Sequence, residues 1–397
     1  MLMMNGLNIY QIKKLFRKIV LAAVLICSLT SLLSAQNVGL VLSGGGAKGA
    51  YEVGVWKALT DVGITDRISV ISGTSVGALN AGLFVCTPVK EAEKLWRNEV
   101  GIDTFLMPDT DTVEALLEVV IKDILSGAAK ANLRYANEED NSELLKKVKK
   151  TASVVGNSTS NLVKSLGKEL LEYSQADKHN EGLFKRDSLE EILDRYITLE
   201  KIKASPYKVY ATTIRKRMLK RKALANAFLD YDSSHSLLLN EQRSSLIVKQ
   251  IMLASSALPL VYSSQPISAG LVENGKVIRE QFEYIDGGFT EIGGQNTPYK
   301  PILRENVDII VVVYLKSEEE LCTMTDHKSE IKEKPVLISK EMLNGKKLIE
   351  IIPSKNLGNL LSGTVNFSPD KINALINLGY NDTMKMFLDG QFSDIFM

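Results

Sequence analysis

The chain is poor in the residues that staple or ligate. It has three cysteines and three histidines among 397 residues. Cys27 falls in an N-terminal apolar run, leaving Cys86 and Cys322, too few for a disulfide framework and without a spacing that would pair them. Both read as buried or free, and Cys86 closes a small-residue helix pattern where a thiol packs as a small hydrophobe. An excess of one charge is also missing, with 48 Lys and Arg against 47 Asp and Glu. No whole-molecule field therefore recruits nucleic acid, and no nucleic-acid partner is expected. No acidic loop suggests a calcium site, and neither a metal nor a cofactor is expected. No tandem repeat is visible. What is abundant is core material: 45% of residues are hydrophobic. Length alone suggests two or three domains, although α/β enzymes often exceed that mode as one unit.

At the N-terminus Lys13, Lys14, Arg17 and Lys18 precede an uncharged apolar run from Ile19 to Leu33 that ends in Ser34 and Ala35. The run is about 15 residues, shorter than the roughly 20 that span a bilayer as a helix. This layout is that of a secretory signal. Residues 1–35 are read as a signal peptide cut after Ala35, so the mature protein is exported: periplasmic, associated with an outer membrane, or secreted. Leu33 is a poor residue three places before the cut, which keeps an uncleaved anchor as the alternative. Bulky Ile26 before Cys27 disfavours a lipoprotein.

The folded part begins at once. Val38 to Leu42 is a buried-strand pattern that runs into Ser43-Gly-Gly-Gly46. From Ala47 the apolar period becomes helical through Ala50, Val53, Trp56 and Leu59, stopping at Gly63. A second unit repeats the plan, with Ser69 to Ser72 as strand, Gly73 to Ser75 as turn and Val76 to Phe84 as helix. Two successive strand–turn–helix units argue for an α/β fold with a central, mostly parallel sheet. Tyr207 to Thr213 and Ile309 to Tyr314 extend that sheet. Residues 101–185 differ in texture, with amphipathic stretches at Val113 to Leu125 and Leu144 to Leu171. They read as a helical insertion that either pads the edge of the core or caps the site and meets lipid. The main domain is placed at residues 36–355. Residues 356–397, with a helix pattern from Asp370 to Leu388, are read as a segment packed on the same domain.

Gly73-Thr-Ser-Val-Gly77 between a strand and a helix is the pattern of a nucleophile turn, where Gly73 and Gly77 let Ser75 stand exposed at the carboxyl edge of the sheet. The bland alternative is a structural turn with a helix-capping serine. Gly44-x-Gly46-x-x-Gly49 matches a dinucleotide-binding fingerprint, since N–H groups at a helix start cradle a pyrophosphate as well as an oxyanion. A nucleotide-dependent oxidoreductase is thus one rival. Against it, Ile64 to Ser69 offers only Asp66 and leads into the serine turn, where the fingerprint wants an acidic residue about 20 residues on. A non-catalytic exported binding protein is the other rival.

A serine hydroxyl needs a base, usually histidine. His179, His235 and His327 lie in polar stretches that read as solvated loops, so a histidine triad is not expected. Asp286-Gly287-Gly288, delivered by Tyr284-Ile285 into a glycine turn, offers a carboxylate instead. An isolated Asp-Gly-Gly is otherwise a plain β-turn.

Taken together, Gly44-Gly-Gly-Ala-Lys-Gly49, Gly73-Thr-Ser-Val-Gly77 and Asp286-Gly-Gly288, in that order, resemble the patatin-like phospholipases, in a bacterial, exported form. Ala254-Ser-Ser-Ala-Leu-Pro259 and Asn296-Thr-Pro298 add to the likeness. It covers roughly Val38 to Ala81 and Tyr207 to Leu315. The resemblance implies a three-layer sandwich and a lipid acyl hydrolase that needs no histidine. Ser75 would be the nucleophile and Asp286 the base, with N–H groups around Gly45 and Gly46 for the oxyanion. The substrate would be a phospholipid or lysophospholipid presented at a membrane surface. Lys48 stands where the family carries a basic residue that could hold a phosphate oxygen; the alternative is a solvated first-turn lysine. Two departures stand out: Ser43 replaces the acidic residue many members place before the glycines, and the loop from Phe289 to Gln295 is longer. Arg215-Lys-Arg217 and Lys220-Arg-Lys222 form a basic cluster across a hairpin turn. It reads either as a solvated turn or as an attraction for anionic head groups, worth about 1 kcal/mol per residue at an anionic bilayer.

Overall fold

The computed structural model describes residues 36–101, 186–218, 229–258, 262, 264–273, 276–288, 294–324 and 338–396. The expected signal peptide (residues 1–35), residues 102–185 of the expected insertion, His179, His327, residues 289–293 and Lys220-Arg-Lys222 of the basic cluster lie outside them.

Short apolar runs, fully buried in β1 and β7, form the centre of the sheet. Strands β1 (Val38–Leu42), β2 (Ile68–Thr74), β3 (Lys208–Met218), β7 (Ile309–Val313) and β8 (Lys347–Ile351) pair in parallel. Strands β4 (Leu229–Leu238), β5 (Gln265–Glu273) and β6 (Lys276–Asp286) are antiparallel additions. The order is β5-β6-β3-β2-β1-β7-β8, with β4 also on β3. Alternate residues of the central strands face opposite sides, as a pleated strand requires. Leu40, Leu42, Val311 and Val313 enter the larger core, whereas Val41, Ile310 and Val312 enter a second core on the other face. A sheet with a core on each face makes three layers.

The larger core is covered by helices α1 (Gly49–Asp61), α2 (Val76–Cys86), α3 (Val89–Asn98), α4 (Asp187–Tyr196), α5 (Ser245–Ser255) and α6 (Pro369–Leu388). The smaller core is closed by short segments that bring in Ile302, Leu321, Ile338 and Leu343. Helix α6 lies against α1 so closely that a Cβ on Gly379 would strike the Tyr51 carbonyl. No helix among the described residues is long and apolar enough to cross a membrane.

Strand β3 carries the detail that matters for the site. Strand β4 occupies one edge of β3 from Tyr210 to Met218. On the other edge β2 pairs through Thr74 opposite Thr212, and β6, running the opposite way, pairs through Asp286 opposite Thr213. The ends of β2 and β6 therefore meet head to head on consecutive residues of β3. His235 corrects the sequence reading: it stands on β4, half-buried and in register with Thr213, not in a solvated loop. Its Asp-Ser-Ser-His-Ser surroundings look like a loop because β4 is bordered only by β3, and Ser236 satisfies its hydroxyl on Thr212 across that pair at 2.8 Å.

Candidate active site

Ser75 follows the last residue of β2 and is the N-cap of α2, with φ 54° and ψ −126°. A non-glycine residue in that region is strained and persists only where its surroundings impose it. The turn is tight enough that a Cβ on Gly73 would collide with the Gly77 carbonyl. Three polar contacts hold it. The Ser75 N–H donates to Ser255 Oγ at 3.0 Å, the Ser255 hydroxyl donates to the Thr212 carbonyl at 2.7 Å, and the Thr74 hydroxyl donates to the Gln295 carbonyl at 2.7 Å.

Asp286 ends β6 and is 6% exposed. Its N–H donates to the Ala257 carbonyl at 2.9 Å, and its Oδ1 accepts from the Gly288 N–H at 2.7 Å. The Ser75 side chain lies close enough to the same carboxylate to favour its charged form. Burial pushes the Asp286 carboxyl up to about 6, against the Gly288 hydrogen bond, the Ser75 side chain and the charge of Arg186. Such a group is largely ionised at neutral pH yet basic enough to take a proton. The head-to-head meeting of β2 and β6 thus brings Ser75 and Asp286 together. His235 stands across β3 from Asp286, in register with Thr213.

The glycine loop lies against the same point: a Cβ on Gly44 would sit 3.2 Å from Ser75 Cβ. Gly44 donates its N–H to the Asn296 carbonyl at 2.9 Å and accepts from Asn296 Nδ2 at 3.2 Å. Its N–H is therefore committed. The N–H groups of Gly45 and Gly46 donate to no group among the described residues. Ser43 is buried where the family often has an acid, and its hydroxyl donates to the Val313 carbonyl at 2.8 Å and meets Thr297 Oγ1 at 3.0 Å. Gly49 opens α1, Gly77 lies in the first turn of α2, and Gly287 donates to the Ser255 carbonyl at 3.4 Å.

Lys48 is not a solvated lysine. It is 6% exposed beneath the 360–364 turn, and burial pulls its pKa down while Glu320 pulls it up. Cys86 is a free, half-buried thiol raised to about 11 by burial, so it is inert at neutral pH.

Several participants carried no signal of role in the sequence. Ser255, Gln295 and Asn296 fasten the three glycine turns to one another; two of them sit in stretches that match the family, but only the packing shows what they hold. Asn80 clamps the start of α1 to α2: its Nδ2 donates to the Gly49 carbonyl at 3.0 Å and to Glu52 Oε2 at 2.8 Å, and its Oδ1 accepts from Trp96 Nε1 at 2.9 Å. Glu52 is fully buried, and burial raises its pKa well above the ordinary value despite Asn80 and the Ser43 N–H. A polar residue inside an Ala- and Gly-rich helix pattern was the available clue for Asn80. Among the described residues, no three His, Cys, Asp or Glu side chains gather as metal ligands.

The family profile described as patatin-like phospholipase matches residues 40–299. Patatin-like phospholipase domain-containing protein ZK370.4 of Caenorhabditis elegans is 47% identical over 60 residues, 15% of this chain and 4% of that protein. Lysophospholipase nte1 of Aspergillus terreus is 54% identical over 52 residues, 13% of this chain and 3% of that protein. The matched stretches thus span a few per cent of those much longer relatives. Human GIVD cytosolic phospholipase A2 aligns over 91% of this chain and 60% of its own, at 10% identity and a TM-score of 0.42. VipD from Legionella pneumophila aligns over 89% of this chain and 67% of its own, at 17% identity and a TM-score of 0.35.

Proposed function

The chain belongs to the patatin-like phospholipase family, and from that premise we propose that it is an exported lipid acyl hydrolase working through Ser75 and Asp286. The observation that carries the reading is the head-to-head meeting of β2 and β6 on β3, which sets Ser75 beside the buried Asp286 carboxylate. In acylation Ser75 Oγ attacks the ester carbonyl carbon while Asp286 takes the hydroxyl proton. The carbonyl oxygen becomes an oxyanion and accepts the N–H groups of Gly45 and Gly46; fixed donors of this kind are worth about 3–4 kcal/mol each to the transition state. The intermediate collapses, the ester C–O bond breaks, and the leaving alcohol takes the proton from Asp286. In deacylation Asp286 accepts a proton from water, the hydroxide attacks the acyl-serine, and the freed Ser75 recovers the proton as the fatty acid departs.

No histidine is needed, because a carboxyl raised to about 6 already serves as base and acid near neutral pH. Phospholipids and lysophospholipids are the proposed substrates, met at a membrane surface, with Lys48 a proposed contact to a substrate phosphate. Family membership sets aside the oxidoreductase reading of the glycine loop. A binding protein that keeps the fold without turnover is the remaining rival. The test is release of free fatty acid from phosphatidylcholine and lysophosphatidylcholine vesicles, followed by mass spectrometry. Release by the wild type that is lost in Ser75→Ala supports the proposal; no release by folded wild-type protein from either lipid sinks it.

A further inference from the structure

Arg186 belongs to none of the motifs and directly precedes α4. It is 7% exposed, yet among the described residues no carboxylate lies within ion-pair distance of it. Its Nη1 donates to the Leu253 carbonyl at 2.6 Å, and its guanidinium lies 4.8 Å from the centre of the Tyr262 ring. A buried charge without a counter-ion is disfavoured unless the charge itself is used. An amide would serve the Leu253 carbonyl equally well, and an apolar chain would pack on Tyr262. The surroundings therefore leave the permanent positive charge unexplained by packing.

Two structural links lead from Arg186 to the chemistry. Leu253 is in the last turn of α5, two residues before Ser255, which holds the Ser75 N–H, and four before Ala257, which holds the Asp286 N–H. The segment that Arg186 braces thus fixes the backbone of both partners. The second link is electrostatic, because the charge acts directly on Asp286. We infer that Arg186 is a positioning residue of the Ser75–Asp286 site, bracing the end of α5 through Leu253 and holding a fixed positive charge within electrostatic reach of the Asp286 carboxylate.

The inference rests on the dyad reading above. Among the described residues the other titratable or charged groups near Asp286 are few. Ser75 faces it from the elbow, Tyr262 lies beneath Arg186, and Glu190 acts on Arg186 from α4. His235 lies across β3, and Glu283 on the same strand accepts from the Ser264 hydroxyl at 2.7 Å. Burial and Arg186 act on Asp286 in opposite senses, so removing the positive charge leaves burial less opposed and the carboxylate harder to ionise.

The test compares full-length wild type with Arg186→Gln, which keeps a donor for Leu253 but no charge, and Arg186→Lys, which keeps the charge. Carbon-13 NMR of labelled aspartate, assigned with Asp286→Asn, gives the Asp286 titration midpoint without any substrate. Arg186→Gln is expected to raise that midpoint by about half a pH unit or more, and Arg186→Lys to stay near wild type. The acid limb of kcat/KM for a soluble fatty-acyl ester should move with the midpoint. Should Arg186→Gln fail to fold, Arg186→Met supplies the neutral variant with the same expectation. A midpoint unmoved by neutralisation overturns the inference, even where ester hydrolysis is normal. A midpoint that moves in a protein hydrolysing no lipid ester upholds the inference and brings down the proposed function instead.

Discussion

Asp286 works under two opposed demands, since burial brings its carboxylate to Ser75 and the same burial penalises its charge. Its pKa stands at about 6 in the folded protein, above its ordinary carboxylate value. The folded state therefore binds the proton more tightly than the unfolded chain, so stability is lost as pH rises through the window from the unfolded value to about 6. Asp286→Asn, which cannot ionise, should be more stable than wild type at pH 8 by on the order of 1–3 kcal/mol, the gain vanishing below about pH 4. Denaturant unfolding at the two pH values checks this; a gain that persists at low pH would point to packing instead of charge. In wild type, kcat/KM should rise with pH through about 6, as the free-enzyme base ionises.

At the scale of elements, the site depends on the end of α5 as much as on the strands. Ser255→Ala leaves the Ser75 N–H and the Thr212 carbonyl without a shared partner. A misplaced nucleophile of this kind should cost on the order of 10–100-fold in kcat with KM little changed, measured by steady-state hydrolysis of a soluble ester. Gly379→Val forces a side chain into the Tyr51 carbonyl and should lower stability by about 3 kcal/mol, read from the denaturation midpoint. Much at this scale was legible in the sequence. The runs at Val38–Leu42 and Ile309–Val313 are buried on both faces and read as strands from their apolar continuity. The glycine turns announced Ser75 and Asp286. Strands β5 and β6 were not legible as such, because Lys276, Arg279, Glu280 and Glu283 interrupt a hairpin that hangs at the sheet's edge. Nor was the meeting of β2 and β6, a property of register on β3 that no local pattern encodes.

For the whole molecule, the candidate site is assembled from segments far apart in the chain. Val100, just after α3, and Leu189, in α4, line one apolar cleft with Leu79, Leu83, Trp96 and Leu193. The flanks of the 102–185 segment thus return to the same place. Replacing residues 102–185 by a short Gly/Ser linker should leave a folded protein that still hydrolyses a soluble acyl ester, with any loss confined to vesicle substrates. Circular dichroism and parallel assays on monomeric and vesicular substrate check it; loss of the fold would make the segment part of the core.

The central claim is that Ser75 is activated by Asp286 alone. Its most direct measurement is intact-mass analysis of the protein after exposure to a fluorophosphonate, alongside ester hydrolysis. One adduct should form on wild type and be lost in Ser75→Ala. Adduct formation and hydrolysis should both collapse in Asp286→Asn, and both should survive replacement of His179, His235 and His327 together. A chain that loses its adduct when the histidines go, or keeps full hydrolysis without Asp286, would contradict the account.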